Sequence, residues 1–298
     1  MNNIKSDIKI SNVLEKDFYL DDSIYNKVIN IVFHNSWQLI TDINSVKSNN
    51  IFPFIFLKDS INEPMILTIN NDIKCISNVC THRAHIIIKK KCSKQLLQCP
   101  YHGRIFTLNG NLNQAPGFES ALNFPSKNDD LVQYKSIKWH NFLFASIVPN
   151  IDINLVLNDI DNRLPNYNFL NLEYDSNNSR TYILDAHWAL YCENYLEGFH
   201  VPFVHKGLSK DISYSSYQTI LLDHGVLQIA NSSNLNESID NTNNIYAYYY
   251  WIFPNLMINI YNWGVSINII EPINKSKTRI RFLSYPFKNE VQPLNLDS

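Results

Sequence analysis

Cys80-Thr81-His82 and, sixteen residues further on, Cys99-Pro100-Tyr101-His102 are the stretches on which the fold turns. Two cysteines and two histidines stand in two short loops, C-x-H and C-x-x-H. Ligands two or three residues apart on a tight turn can reach one metal centre, and a second loop closes the cage from the other side. Two sites suit these side chains: tetrahedral zinc on Cys2His2, or a [2Fe–2S] cluster with both cysteines on one iron and both histidines on the other. One Cys and one His per loop favours the cluster, because zinc fingers usually pair Cys with Cys and His with His. Gly103 allows close backbone approach, and backbone N–H groups near Cys99 can donate to cluster sulfurs.

The surrounding sequence has the texture of short strands. From Trp37 to about Pro149 these are Phe52–Leu57, Met65–Ile69, Ile73–Ser77, Leu96–Gln98, Arg104–Thr107 and Phe142–Ser146, divided by turn signals such as Asn70-Asn71-Asp72 and Asn109-Gly110-Asn111. That predicts a small antiparallel β-domain. Before it, Asp21-Asp22-Ser23 can start a helix that places Ile24, Val28, Ile31 and Val32 on one face. After Pro165 a helix is expected over Asp185–Phe199. Tyr217–Ile229, Ile245–Phe253, Met257–Ile260, Val265–Glu271 and Thr278–Tyr285 then alternate like strands of a second sheet. The fold class is therefore α+β, and 298 residues suit about two domains.

Composition narrows the function. With 45% hydrophobic and 17% charged residues the chain can build real cores. A net charge of −2 argues against a nucleic-acid binder and against a polycationic membrane patch. The 5 cysteines do not form a disulfide framework in a chain this long. The opening MNNIKSDIKI has no apolar signal region, and the longest uncharged stretch, Asn241–Ile270, is too polar to span a bilayer. A soluble protein of a reducing compartment, the cytoplasm, is expected.

A second constellation lies in Glu193-Asn194-Tyr195-Leu196-Glu197-Gly198-Phe199-His200-Val201-Pro202-Phe203-Val204-His205. Glu197 and His200, three apart, share one helical face. His200 and His205 are about 140° apart on an ideal helix, so an unbroken helix cannot aim both at one metal. Pro202 supplies the expected break. Two histidines plus a carboxylate form the facial triad of non-haem Fe(II) oxygenases. His34, His85, His140, His187 and His224 have no ligand-spaced partners, and Cys75, Cys92 and Cys192 read as small buried residues. Lys89-Lys90-Lys91 reads as a solvated loop tip. The aromatic run Tyr248–Phe253 reads as sheet core.

Cys80-Thr81-His82-Arg83, Cys99-Pro100-Tyr101-His102-Gly103-Arg104, Asn109-Gly110 and Ala115-Pro116-Gly117-Phe118-Glu119 resemble the Rieske domain of non-haem iron ring-hydroxylating oxygenase large (alpha) subunits. Respiratory Rieske proteins carry an extra cysteine in each loop, joined as a disulfide. Those places are held here by His85 and Tyr101. The Glu197 to His205 segment resembles the family's E/D-x-x-H-x-x-x-x-H signature, and Tyr195 to Leu208 is most similar to choline monooxygenase-like members. The resemblance implies a Rieske domain over residues 37–150 inserted into a catalytic domain of 1–36 and 151–298, the latter an antiparallel sheet covered by helices.

It also implies a [2Fe–2S] cluster on Cys80, His82, Cys99 and His102, and mononuclear Fe(II) on His200 and His205. Glu197 would be the catalytic bridge to a cluster histidine of a neighbouring subunit in a homotrimer. The implied activity is that of a mono- or dioxygenase using O2 on an organic small-molecule substrate, with C–N cleavage where a quaternary amine is attacked beside nitrogen. No flavin or nicotinamide glycine fingerprint is present, so NAD(P)H would act through a separate reductase or ferredoxin. The family's third iron ligand is a late carboxylate. Asp297 is the only late Asp and a poor candidate, so the catalytic domain is expected to be cut short. The alternative is a non-enzymatic Rieske electron carrier with an incomplete second iron site.

Overall fold

The computed structural model describes residues 4–5, 7, 9–204, 212–232, 238–239 and 244–288. Two short helices, α1 (Lys16–Leu20) and α2 (Asp22–Val28), lead in, and the Asp21 carboxylate caps α2 by accepting from the Ser23 and Ile24 backbone. A π-helical turn, Ile29–Phe33, then feeds the first sheet.

Nine strands follow: β1 (Gln38–Asp42), β2 (Ile51–Phe56), β3 (Glu63–Ile69), β4 (Ile73–Ser77), β5 (Leu96–Gln98), β6 (Ile105–Thr107), β7 (Leu112–Gln114), β8 (Gln133–Trp139) and β9 (Phe142–Ser146). They form a six-stranded antiparallel sheet, ordered β1-β9-β8-β4-β3-β2, and a three-stranded sheet, β5-β6-β7. Ile51, Ile66, Ile76, Leu97 and Phe106 from these two sheets share a buried core with Cys80 and Cys99.

Helix α3 (Asn154–Arg163) crosses to the second half, where β10 (Asp175–Leu184), α4 (Trp188–Tyr195), α5 (Val201–Val204), β11 (Ile212–Leu222), β12 (Gly225–Ser232), β13 (Ile245–Ile252), β14 (Leu256–Tyr261), β15 (Gly264–Asn274) and β16 (Lys277–Pro286) follow. The strands build a seven-stranded antiparallel sheet ordered β10-β16-β15-β14-β13-β12-β11. Strict alternation gives it two faces. Tyr248, Tyr250, Ile258 and Ile267 pack on Val156, Leu157 and Ile160 of α3. On the other face Met257, Ile270 and Ile280 pack on Trp188, Ala189 and Cys192 of α4.

Gly264 is required where β15 begins. At φ +148, an added Cβ would stand 2.4 Å from the Tyr285 carbonyl oxygen. The two sheets are joined by Gln38 and Asn255, whose buried side-chain amides bond reciprocally at 2.9 and 3.0 Å.

Three sequence expectations need correction. Tyr217–Ile229 is not one strand but a hairpin, β11 to β12, turning at Asp223-His224 with His224 at φ 65. The helix expected over Asp185–Phe199 runs only from Trp188 to Tyr195, because His187 caps its start and the chain leaves helical geometry after Leu196. The chain therefore breaks at Glu197-Gly198, before His200, and Pro202, expected to break the helix between His200 and His205, falls instead in the first turn of α5, where a proline costs no intrahelical hydrogen bond.

Candidate metal centres

The two Cys-His loops are closed by the same pair of backbone hydrogen bonds. Cys80 N donates to His85 O at 2.9 Å and Ala84 N to Cys80 O at 3.0 Å. Cys99 N donates to Arg104 O at 2.8 Å and Gly103 N to Cys99 O at 3.1 Å. Both loops turn through a left-handed residue, Ala84 at φ 49 and Gly103 at φ 74. Each knuckle therefore presents its cysteine inward and its histidine outward.

Cys80 and Cys99 are 3% and 2% exposed and neighbour each other in the core. Burial pushes the Cys80 thiol up, opposed by the His82 backbone N–H, with the Cys99 thiol raising it further. The His82 and His102 rings stand 4.7 Å apart nearer the surface. Burial first, then the charge of Arg104, holds His82 below the ordinary imidazole value, which keeps the lone pair that a metal needs. His82 Nδ1 is buried without a hydrogen-bond partner.

This sorting bears on the choice between zinc and a cluster. Zinc would need all four side chains on one ion, whereas a [2Fe–2S] cluster needs a cysteine pair and a histidine pair on separate irons. A cysteine pair inside and a histidine pair outside, with an orphaned ring nitrogen, instead fits a two-iron cluster with differently ligated irons. His85 and Tyr101, one from each loop, meet at 5.6 Å between ring centroids, so ring contact links the loops at those places. None of the five cysteines forms a disulfide.

The second constellation is built by a turn, not by one helical face. Glu197 Oε1 lies 2.5 Å from His200 Nδ1. Its Oε2 accepts from the backbone N–H groups of Phe199 and, at 3.2 Å, His200. One carboxylate thus orients the imidazole and satisfies the two backbone donors that lead into α5. His205 and Asp297 lie outside the described residues.

Three residues that sequence reasoning missed hold this turn to the sheet. Gln228 Nε2 donates to the Tyr195 carbonyl at 2.7 Å, and the Tyr217 hydroxyl donates to Gln228 Oε1 at 3.0 Å. The Tyr195 hydroxyl donates to Asn259 Oδ1 at 2.7 Å. Gln228, Tyr249 and Asn259 pair directly across β12, β13 and β14, so the tethers flank Tyr249. Gly198 lies under the Tyr217 ring, where an added Cβ would be 3.2 Å away.

The signal for Gln228 and Asn259 in the sequence was a single amide inside an apolar run, Leu227-Gln228-Ile229 and Ile258-Asn259-Ile260. The aromatic run divides between faces: Tyr248 and Tyr250 join the α3-side core, whereas Tyr249 packs with Ala230 and Ala247 on the α4 side, against Tyr195, Tyr217 and Tyr261. Two of the histidines without ligand-spaced partners in the sequence have structural ones. His187 Nδ1 accepts from Ala189 N at 3.3 Å, and His140 Nε2 lies 2.8 Å from Asp161.

Comparison with known proteins agrees with this layout. Residues 36–133 match the Rieske [2Fe-2S] domain, and residues 171–295 match the ring hydroxylating alpha subunit catalytic domain. The chain belongs to the Rieske-type ring-hydroxylating oxygenase alpha subunits. Among its relatives, the chloroplastic choline monooxygenase of Beta vulgaris is 24% identical over 273 residues, 88% of this chain and 60% of that protein. The carnitine monooxygenase oxygenase subunit of Escherichia coli K12 is 25% identical over 255 residues, 82% of this chain and 66% of that one.

The chain thus spans 60% of the length of the beet relative. A quaternary ammonium Rieske monooxygenase solved with L-carnitine superposes with a TM-score of 0.73 at 19% identity, covering 94% of this chain and 76% of that one. Naphthalene 1,2-dioxygenase with bound indole gives 0.69 at 16% identity, covering 92% and 71%. At these identities the structures speak for the fold. No helix among the described residues is long and apolar enough to cross a membrane.

Proposed function

We propose that the protein is a terminal oxygenase component in which Cys80, Cys99, His82 and His102 hold a Rieske cluster, and His200 and His205 hold mononuclear Fe(II) with a carboxylate still to be placed. When bound, the two centres supply electron storage and O2 activation, which together hydroxylate an organic substrate. The residues of the chain do the rest. Glu197 holds His200 by Nδ1, which would leave Nε2 for the iron. Tyr195, Gln228 and Asn259 fix the turn that carries both residues, and the Tyr195-Tyr217-Tyr249-Tyr261 face excludes water from one side.

The single observation that carries the proposal is that one chain holds both a sorted Cys-pair and His-pair cage and a histidine oriented by a carboxylate. A quaternary amine, cleaved at C–N after hydroxylation of the adjacent carbon, is the substrate class that the choline and carnitine monooxygenase relatives support. Electrons come from NAD(P)H through a separate reductase or ferredoxin, in the cytoplasm. Both candidate centres open outward. Tyr101, in the second cluster loop, is exposed, and so are Phe199 and Phe203 (81% exposed), which flank His200 in the chain. Apolar rims at both ends of the electron path support a homotrimer in which one subunit's cluster faces the next subunit's Glu197.

The test is metal content and spectroscopy on anaerobically purified protein. The oxygenase should hold about three irons per chain and give a Rieske-type EPR signal on reduction, whereas a mere carrier would hold about two. His200→Ala or His205→Ala should abolish O2-dependent turnover and remove the mononuclear iron while the signal persists. Stoichiometric zinc without cluster iron would overturn the cluster, and normal turnover in either variant would overturn the iron site.

A further inference from the structure

Arg104 belongs to the cage without being one of its proposed ligands. It is 4% exposed, and its Nη1 donates to Asp129 Oδ1 at 3.3 Å and to Thr81 Oγ1 at 3.1 Å. Thr81 stands between Cys80 and His82, and its hydroxyl donates onward to the Asp129 carbonyl at 2.8 Å. Arg104 itself ends the second loop, its carbonyl accepting from Cys99 N. One guanidinium therefore pins the first loop to the second and both to the Ser126–Asp129 turn.

Two aromatic rings close over it. Phe118 and Phe124 have centroids 5.0 and 5.3 Å from the guanidinium carbon. The Phe118 ring in turn meets His82 at 5.6 Å. Arg104 Nε is buried with no hydrogen-bond partner. A buried cation with one ion pair and an orphaned donor is a poor device for stability alone, since its desolvation rivals its Coulombic gain. A desolvated charge acts strongly on its surroundings, however, because little water screens it. Asp129 is held ionised opposite it, first by the Ser126 backbone N–H, with the Ser126 hydroxyl and Arg104 adding to the effect.

We propose that Arg104 is a positioning residue that sets the cluster's reduction potential, its fixed positive charge favouring the reduced form and the Asp129 carboxylate tempering it. The proposal rests on the reading of Cys80, His82, Cys99 and His102 as a Rieske cage. An iron–sulfur potential responds to net charge and hydrogen bonding around it, so the sign is determined. Removing the cation disfavours the added electron, and removing the anion favours it.

The experiment is an EPR-monitored redox titration of the full chain, as wild type, Arg104→Met, Arg104→Lys and Asp129→Asn. Arg104→Met should lower the midpoint so that, poised at the wild-type midpoint, the reduced-to-oxidised ratio falls about tenfold, or about 59 mV for a one-electron couple. Arg104→Lys should stay near wild type, and Asp129→Asn should shift upward. Opposite signs for the two charge removals are what electrostatics demands, whereas loosened loops would move both the same way. Shifts of the same sign, or an intact signal with unchanged midpoint in Arg104→Met, would overturn the proposal. If Arg104→Met fails to hold a cluster, Asp129→Asn decides, since an unmoved or lowered midpoint there overturns it equally. Absence of a Rieske signal in the wild type would mean instead that the cluster reading itself has failed.

Discussion

Replacing Gln228 by leucine asks whether the turn carrying Glu197 and His200 is held by the sheet. Gln228 is 1% exposed, and its side chain joins the Tyr195 carbonyl at 2.7 Å to the Tyr217 hydroxyl at 3.0 Å. Leucine fills similar volume, so apolar packing survives while both hydrogen bonds disappear. The Tyr195 carbonyl closes α4 and has lost its intrahelical partner by position, so it depends on this donor. Each buried polar group left unsatisfied costs about 1–3 kcal/mol. Tyr217 is only half-buried and its hydroxyl can turn to water, which places the total near the lower end, about 2–3 kcal/mol. Because this turn presents His200 to the iron, anaerobic Fe(II) titration should show affinity reduced by about tenfold or more, with 1.4 kcal/mol equal to one decade. Thermal unfolding should drop in parallel, and the cluster signal should be unchanged because its loops lie in the other sheet system. Full Fe(II) affinity with lowered thermal stability would refute the coupling and leave Gln228 a purely structural amide.

Two further outcomes are expected. Glu197→Gln retains one acceptor oxygen but loses the charge that faces His200 Nδ1 and two backbone donors. Both metals should bind while cluster-to-iron electron transfer slows by about 10–100-fold, measured by rapid-mixing spectroscopy. Loss of the mononuclear iron would instead make Glu197 the iron's own carboxylate. His187 is pushed down to about 4 by burial, from the ordinary imidazole value of about 6.5. Its neutral form therefore contributes stability that is fully present above about pH 6.5 and is lost as pH falls toward 4. At 1.4 kcal/mol per pKa unit the loss is on the order of 3 kcal/mol. His187→Asn, which keeps a capping acceptor without titrating, should flatten the melting temperature between pH 7 and 4.5. An equally steep profile in that variant would show that another group carries the acid sensitivity.

What the sequence disclosed follows from how local the physics is. Cys80, His82, Cys99 and His102 were legible because ligand spacing is a property of a few consecutive residues, and each loop closes on itself through its own backbone. The apolar strands β3, β4, β9, β14 and β15 were legible for the same reason, since alternation or a short apolar run is local. The strands that were missed are short or polar. The β8 segment Gln133–Trp139 carries two lysines, and β10, an edge strand, reads Asp-Ser-Asn-Asn-Ser before its apolar end. Their pairing is supplied by neighbours distant in sequence. The turn at Asp223-His224 was hidden because it lacks the usual Asn-Gly signature, and a histidine takes the left-handed place instead.

The same distinction explains the break before His200, where the sequence predicts helix through Phe199. Proline is the strongest local breaker, so sequence alone puts the break at Pro202, between His200 and His205. The earlier break is set by what receives Tyr195. Its carbonyl goes to Gln228 and its hydroxyl to Asn259, thirty-three and sixty-four residues away in the chain. With the helix end held there, Gly198 can pass beneath the Tyr217 ring, which no side chain would allow without displacing it. Glu197 is then left outside the helix, where its carboxylate reaches the next turn's N–H groups and His200 Nδ1 together. A Glu and a His on one continuous helix would share a face but could not share those backbone donors, which would be spent on the helix itself. The early break thus gives one carboxylate both tasks, and it makes the orientation of His200 depend on two amides in the sheet.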